Sequence, residues 1–135
     1  MEHSLFDCIV IGAGPAGLSA SLFLARYCRN VLTLHDNQPR NLYAHGVHGF
    51  LGHHGIAPAE LSARGIEEVI THGGKIIEAR VTKIAKSRDG SFTVITEREG
   101  NRPYSTRRVL IATGGCELPP WRLPRLPLLQ DANWV

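Results

Sequence analysis

The 135-residue sequence lacks several features that would each mark a particular class of protein. It has no apolar run near the roughly 20 residues that a transmembrane helix needs, and an apolar segment begins almost at the N-terminus. We therefore expect no signal peptide, no membrane association and a cytoplasmic location. The three cysteines, Cys8, Cys28 and Cys116, form no Cys-x-x-Cys pair, so we expect free thiols, with Cys8 packed as a small apolar residue.

Acidic residues are scarce in the second half of the chain, where ten Lys or Arg stand against four Asp or Glu between residues 80 and 125. Nucleic-acid binding is one interpretation of such a bias. Aromatic residues make up only 7% of the sequence, and no recognition motif accompanies the basic residues. We therefore predict a solvated basic face and no nucleic-acid partner.

The most informative stretch lies near the start, where a short apolar run over residues 6–11 ends in glycines at G-x-G-x-x-G spacing. A β-rich run followed by a helical period predicts a strand, a tight turn and a helix. Gly12 would permit the turn, Gly14 would let a pyrophosphate approach the backbone, and Gly17 would let the helix pack on the strand. Pro15 suits the first helical turn, where its missing N–H is not needed.

An acidic residue, Asp36, follows a second apolar run at residues 31–35. A carboxylate about 20 residues beyond the glycines is suited to accept hydrogen bonds from ribose hydroxyls. The segment therefore predicts a βαβ nucleotide-binding unit. The alternative is a glycine-rich turn between strand and helix that holds no ligand.

The rest of the chain predicts two helices and several β segments. We expect the first helix over residues 15–28 and a second over residues 58–70, where Gly65 weakens the helical pattern. We expect β segments over residues 75–84, 91–97 and 107–112, with hairpin turns at 88–90 and 99–101. The prolines of residues 118–135 argue against a helix or a central strand there.

A long loop with four histidines follows Asp36. Loops of this length in a compact domain are usually functional or disordered, and the glycines and aromatics here favour contact with a ligand. His45, His48, His53 and His54 suggest a metal site, but neither a helical pair nor a carboxylate cluster completes the ligand set. We therefore predict no metal.

Five segments together resemble the N-terminal FAD-binding portion of thioredoxin-reductase-like flavoproteins of the pyridine nucleotide-disulfide oxidoreductase class. They are the glycine fingerprint and residues 36–41, 45–51, 58–61 and 112–114, in this order, and the likeness covers residues 5 to about 119. The resemblance implies an α/β fold of the Rossmann-like FAD/NAD(P)-binding type, in three layers: parallel sheet, helices and a β-meander insertion. We expect this fold to be incomplete, with an FAD-binding domain over residues 1–117 and a proline-rich tail over residues 118–135.

The resemblance also implies a set of cofactor contacts. The glycine turn would hold the FAD pyrophosphate, Asp36 the adenosine ribose, Val81 the adenine, and the histidine loop would approach the flavin. The full set is Gly12, Gly14, Pro15, Ala16, Gly17, Asp36, Arg40, Asn41, His48, Val81, Ala112, Thr113 and Gly114. In such enzymes NADPH reduces FAD, and the reduced flavin reduces a Cys-x-x-Cys disulfide.

The sequence departs from this family in three respects: it has no second glycine fingerprint for NADPH, no Cys-x-x-Cys, and no later Gly-Asp segment. We therefore predict no catalytic residue in this chain and no role for NADPH unless a complementing domain is present. One hypothesis is an FAD-dependent oxidoreductase that acts only in a longer form or with a partner, which would be a complementing chain or a second copy in a homodimer. The other is a non-catalytic nucleotide-binding module or a truncated remnant. An NAD-binding domain suits the long loop and the hairpin insertion less well.

Overall fold

The computed structural model describes residues 5–41, 44–97 and 103–115. Along the chain the elements are β1 (Cys8–Ile11), α1 (Pro15–Arg26), β2 (Val31–His35), α2 (Pro58–Thr71), β3 (Lys75–Glu78), β4 (Val81–Lys86), β5 (Phe92–Thr96), β6 (Pro103–Thr106) and β7 (Val109–Ile111). Neither helix in these ranges is long and apolar enough to cross a bilayer.

Four strands form a parallel sheet in the order β3-β2-β1-β7. The two central strands are almost wholly buried, as expected for β-branched and leucine-rich runs covered on both faces. Because the strands are parallel, their carboxyl ends lie at one edge of the sheet. That edge brings together the residues after β1, β2, β3 and β7, and the candidate site lies there.

Strands β4, β5 and β6 form a separate antiparallel meander. Its buried Val94 shares a core cluster with Ile9, Ile11, Leu32 and Leu34 of the parallel sheet. On the other face, α1 and α2 pack against the sheet and against each other. The architecture confirms the predicted parallel sheet with helices and a meander insertion.

The prediction of one β segment over residues 75–84 is wrong. The segment divides at Ala79 and Arg80 into β3, which pairs with β2, and β4, which pairs with β5. Both halves are rich in β-branched residues, so local propensity does not reveal the division. Ala79 is buried, and its N–H donates to the His35 carbonyl at 2.8 Å. This hydrogen bond lies at the point where the chain passes from the parallel sheet to the antiparallel sheet.

Further differences from the prediction concern β6, the bounds of β7, which is shorter than the predicted segment 107–112, and the end of α1. The prediction has β segments at residues 91–97 and 107–112 and none between them, whereas the structure has β6 there, with Pro103 at its first position, where a proline is tolerated. Helix α1 ends two residues earlier than expected, since Cys28 adopts a left-handed conformation with φ of 58°. The Cys28 N–H bonds to the Ala25 carbonyl and the Arg29 N–H to the Leu24 carbonyl, which closes the helix as a Schellman motif without glycine.

Gly65 does not interrupt α2, which is continuous. A Cβ at this position would lie 2.9 Å from Cδ1 of Leu18 on α1. The glycine therefore allows the two helices to approach closely. The predicted turn at 99–101, Cys116 and the tail over residues 118–135 lie outside the described residues.

Candidate nucleotide-binding site

The glycine turn between β1 and α1 is held by its own backbone. Gly12 has φ of +107°, a conformation that side chains rarely adopt, and its N–H donates to the Leu34 carbonyl at 2.8 Å. A Cβ on Gly12 would lie 2.4 Å from the carbonyl oxygen of Ala112, which follows β7. Only glycine therefore lets the turn pass beside the end of β7.

The other two glycines have opposite surroundings. A Cβ on Gly17 would lie only 1.9 Å from the Gly12 carbonyl oxygen, so α1 packs directly on the turn. A Cβ on Gly14 would meet nothing within 4 Å. Gly12 and Gly17 are thus required by internal packing, whereas Gly14 faces open space. The close packing of Gly12 and Gly17 agrees with the turn and helix-packing roles predicted for them, and the open space at Gly14 leaves room for the ligand contact predicted there.

The open space in front of Gly14 lies at the N-terminus of α1. Gly14 is the N-cap and makes no side-chain capping hydrogen bond, Pro15 occupies the first turn, and that turn has no acidic residue. The first N–H groups of a helix lack intrahelical partners and carry partial positive charge. Pro15 and Ala16 are exposed. The arrangement therefore fits a phosphate group at this end of the helix.

Asp36 lies exposed directly after β2, at the same edge of the sheet. Its Oδ1 accepts a hydrogen bond from the Gln38 N–H at 3.2 Å, which holds the carboxylate beside the backbone turn. The carboxylate borders an open groove of about 350 Å³ lined by Asp36, Gln38, Glu78, Ala79, Arg80 and Glu97. Three carboxylates and one guanidinium line it, so the groove suits hydroxyl donors better than an additional phosphate.

Asp36 has four neighbours along the groove that the sequence does not predict: Gln38, Glu78, Arg80 and Glu97. Glu78 is the last residue of β3 and pairs with His35, and the Glu97 N–H donates to the Arg80 carbonyl at 3.0 Å. Glu78 could have been found from the rule that parallel strands end at one edge. It was not found, because a continuous β segment through residue 84 has no strand end at residue 78.

The loop after β2 also approaches the end of β7. A Cβ built on Gly115 would lie 3.8 Å from Nη1 of Arg40, so the guanidinium reaches the segment that follows Ala112 and Thr113. Gly114 has φ of +67° and open space around it. Arg40, Ala112, Thr113 and Gly114 are therefore brought to the edge that holds the glycine turn.

Three predicted contacts lie farther from the glycine turn along the chain. The backbone carbonyl of Asn41 accepts a hydrogen bond from the Ala44 N–H at 3.0 Å. Val81 begins β4 half-buried and packs against the main core cluster. His48 is exposed, and its ring centroid lies 5.0 Å from that of His54. Their predicted roles toward a cofactor stay predictions.

The histidine loop has an ordered base, where Val47 and Ile56 form an antiparallel bridge. Aromatic rings of this loop contact one another: the ring centroids of Phe50 and His53 lie 5.8 Å apart. Within residues 5–41, 44–97 and 103–115, no group of three or more His, Cys, Asp or Glu side chains is placed to hold a metal ion.

The two described cysteines have different environments. Cys8 is buried in β1, as predicted, and burial raises the pKa of its thiol. Cys28 is exposed at the end of α1. Cys8 is therefore a packing residue with little thiolate at neutral pH.

Comparison with known proteins identifies the family. Residues 6–132 match the family model described as pyridine nucleotide-disulphide oxidoreductase. The chain is 32% identical to a probable thioredoxin reductase of Arthroderma benhamiae, over 96% of this chain and 32% of that protein. It is 27% identical to the thioredoxin reductase of Bacillus subtilis, over 84% of this chain and 35% of that protein.

Solved structures agree with this result. The putative thioredoxin reductase TrxB of Bacillus anthracis has a TM-score of 0.75 and 39% identity, over 80% of this chain and 36% of that one. The structure of HlmI has a TM-score of 0.80 and 38% identity, over 89% of this chain and 38% of that one. The chain thus spans about a third of the length of these proteins. It belongs to the pyridine nucleotide-disulphide oxidoreductases, a flavin-dependent family, and resembles an N-terminal portion of thioredoxin reductase.

Proposed function

We propose that this chain binds FAD and serves as the FAD-binding portion of a thioredoxin-reductase-like NAD(P)H-dependent oxidoreductase. The observation that carries the proposal is the contrast between the glycines. Gly12 and Gly17 are packed against backbone, while Gly14 opens onto free space at the N-terminus of α1. An internal turn with no ligand would not need a glycine at position 14.

The proposal gives each part of the cofactor its residues. Gly12, Gly14, Ala16 and Gly17 lie against the pyrophosphate, which faces the free backbone N–H groups at the N-terminus of α1. Asp36 accepts hydrogen bonds from the adenosine ribose, with Arg40 and Asn41 beside it. Val81 contacts the adenine mainly through its backbone. The remaining contacts are Pro15, Ala112, Thr113, Gly114 and, toward the flavin, His48.

The bound FAD would supply hydride acceptance, and the chain's own residues bind and orient it. The acidic groove around Asp36, Glu78 and Glu97 supports a ribose without a 2′-phosphate at this site. NADPH would accordingly bind elsewhere, on a complementing domain. Disulfide reduction by the whole enzyme would further require a pair of cysteines, and Cys8 is buried.

The alternative function is a non-catalytic nucleotide-binding module, or a remnant that keeps the fold without turnover. The fold and the glycine turn alone support it equally well. The absorbance spectrum of the purified chain distinguishes the possibilities, because an FAD-binding portion is yellow or becomes so with added FAD. Tighter binding of NAD⁺ than of FAD would favour the NAD-binding interpretation.

The test is a titration of the purified chain with FAD, followed by quenching of flavin fluorescence. Gly14→Val should abolish binding with the circular dichroism spectrum unchanged, because the side chain fills the space that the pyrophosphate needs. The matched control is Ala57→Val: Ala57 is the N-cap of α2, it precedes a proline as Gly14 does, and it is exposed. Normal FAD binding by Gly14→Val would contradict the proposed pyrophosphate position.

A second measurement on the same samples concerns turnover. With NADPH, FAD and a disulfide substrate, the isolated chain should show no reduction above the rate of free FAD. Turnover clearly above that rate would show that the chain carries the donor site and the thiols that we assign to a complementing domain.

A further inference from the structure

A second open cleft lies at the edge of the parallel sheet opposite to the nucleotide site. Its volume is about 730 Å³, which is within the size range of small-molecule sites in proteins. Its walls come from the segments that lead into β1, β2 and β7 and from the turn between β4 and β5. The cleft shares no residue with the glycine turn or with the groove at Asp36.

One part of this cleft is apolar. Leu5, Cys8 and Leu24 line it. Leu5 is 41% exposed, Leu24 is half-buried on α1, and Cys8 is buried at the start of β1. A ligand group that covered the two leucines would remove apolar surface from water, which favours binding.

The rest of the cleft is charged. Three exposed arginines line it, Arg29, Arg107 and Arg108, and two aspartates, Asp7 and Asp89. Arginines therefore outnumber carboxylates by one. Arg107 and Arg108 belong to the basic stretch over residues 80–125.

Both carboxylates are engaged within the chain. Oδ2 of Asp7 accepts a hydrogen bond from the Asn30 N–H at 2.9 Å, and its Oδ1 lies 3.6 Å from Nε of Arg107. Oδ1 of Asp89 accepts from the N–H of Ser91 at 3.0 Å and from its hydroxyl at 2.7 Å. The charge of Asp7 is thus balanced by Arg107, and Asp89 is held in its own turn.

The other two guanidinium groups keep N–H donors for a ligand. Nη1 of Arg108 donates to the Arg107 carbonyl at 2.9 Å, which uses one of its five N–H groups. Within the described ranges, the Arg29 guanidinium has no partner in a hydrogen bond or an ion pair. Arg29 and Arg108 therefore offer two positive charges to the cleft.

Backbone hydrogen bonds fix the walls to one another. The Asp7 N–H donates to the Asn30 carbonyl at 2.9 Å, the Phe6 N–H to the Ser105 carbonyl at 3.0 Å, and the Arg107 N–H to the Phe6 carbonyl at 2.9 Å. The segment before β1 is thus joined to the connection between α1 and β2 on one side and to the turn between β6 and β7 on the other. Walls that are fixed before binding lose less conformational entropy when a ligand arrives.

We propose that this cleft binds a small phosphate monoester with an apolar body. Arg29 and Arg108 hold the phosphate, because guanidinium groups bind phosphate oxygens by paired hydrogen bonds. Their two positive charges match a phosphate monoester, which is mostly a dianion at neutral pH, whereas a carboxylate carries one negative charge. Leu5 and Leu24 contact the apolar body.

The test is a titration of the purified chain with phenyl phosphate at constant ionic strength, followed by amide chemical shifts in nuclear magnetic resonance spectra. Inorganic phosphate has the same head without the body, benzoate has a carboxylate head, and phenol has no charge at neutral pH. Phenyl phosphate should bind at least about tenfold more tightly than each of these three. The largest shifts should occur at Asp7, Cys8 and Arg29.

Substitutions test the two parts of the cleft separately. Arg29→Gln and Arg108→Gln should each raise the Kd of phenyl phosphate by about tenfold, because a charge-assisted contact is lost. The matched control is Arg26→Gln, which removes the same charge from an exposed residue of α1 that does not line the cleft. It should change the Kd by less than about twofold. Leu5→Ala should weaken binding of phenyl phosphate and leave binding of inorganic phosphate unchanged. Circular dichroism checks that each variant is folded.

Equal effects of Arg26→Gln and Arg29→Gln would overturn the inference, because net charge and not the cleft would then attract the anion. Benzoate or inorganic phosphate that bound as tightly as phenyl phosphate would also overturn it. So would shifts confined to Gly14 and Ala16, which would place the phosphate at the N-terminus of α1. The result is independent of the FAD site, since binding in the cleft should persist in Gly14→Val.

Discussion

The contact between Gly17 and the turn before it gives a quantitative test of the fold. In Gly17→Ala the added methyl group would lie 1.9 Å from the Gly12 carbonyl oxygen and 2.9 Å from its carbon, whereas ordinary contact begins at 3.4 Å. Both neighbours are backbone atoms, so the N-terminus of α1 must move away from β1. Forced overpacking typically destabilises by about 1–3 kcal/mol.

A gain in helix propensity partly offsets this destabilisation, since alanine is favoured over glycine in a helix by roughly 1 kcal/mol. Taking the upper end for a backbone clash, we expect Gly17→Ala to lower the free energy of unfolding by about 2 kcal/mol. The melting temperature should then fall by roughly 8 °C in a domain of this size. FAD binding should weaken as well, because the displaced helix carries the pyrophosphate site.

Gly65→Ala is the matched control. It also adds a methyl group to a helical glycine, but the nearest atom is Cδ1 of Leu18 at 2.9 Å, the far end of a flexible side chain. The leucine can move, so the propensity gain should leave the melting temperature unchanged or slightly raised. Thermal unfolding followed by circular dichroism measures both variants. If Gly17→Ala were as stable as Gly65→Ala, the close packing of α1 on the glycine turn would be refuted.

The other predictions concern the ribose site and the cysteines. Asp36→Ala should weaken FAD binding by about 1.5–3 kcal/mol, because a charged acceptor is lost. The control Asp89→Ala, in an exposed turn, should bind FAD normally. If a fluorescence titration gave the two variants equal affinities for FAD, the assignment of Asp36 to the ribose would be excluded. In the folded chain iodoacetamide should modify Cys28 and spare Cys8, as mapped by mass spectrometry, and rapid labelling of Cys8 would contradict its burial. Burial raises the pKa of Cys8 from its ordinary value of 9.0, so the thiol ionises in the unfolded chain before it ionises in the folded one. The free energy of unfolding should therefore fall as the pH rises above about 9, and it should fall less in Cys8→Val.

The acidic groove bears on which nucleotide the chain selects. Asp36 has two carboxylates near it, Glu78 and Glu97, and the guanidinium of Arg80 is the one cation among the described residues that line the groove. Hydroxyl groups can donate to such a site, whereas a 2′-phosphate would face net negative charge. If the chain binds a nucleotide as we propose, we therefore expect it to bind FAD or NAD more tightly than NADP, a preference that the glycine spacing alone does not predict.

The sequence by itself determined the features that depend on neighbours along the chain. The spacing of Gly12, Gly14 and Gly17 after an apolar run predicts the turn and the helix, because each glycine acts on backbone within a few residues. The same holds for β2 and Asp36, for the hairpin at 88–90 and for the burial of Cys8. These elements follow from local periodicity, turn chemistry and apolar content, all of which are readable in one sequence.

Tertiary structure decided what depends on residues far apart in the chain. Residues 75–84 are β-rich throughout, and only pairing with β2 and β5 divides them into strands of two different sheets. That division places Glu78 and Arg80 beside Asp36. Gly65 looks like a helix breaker until Leu18 is found against it. The position of β7 at one end of the parallel sheet, among the strands that the structure describes, likewise depends on pairing between strands distant in the chain.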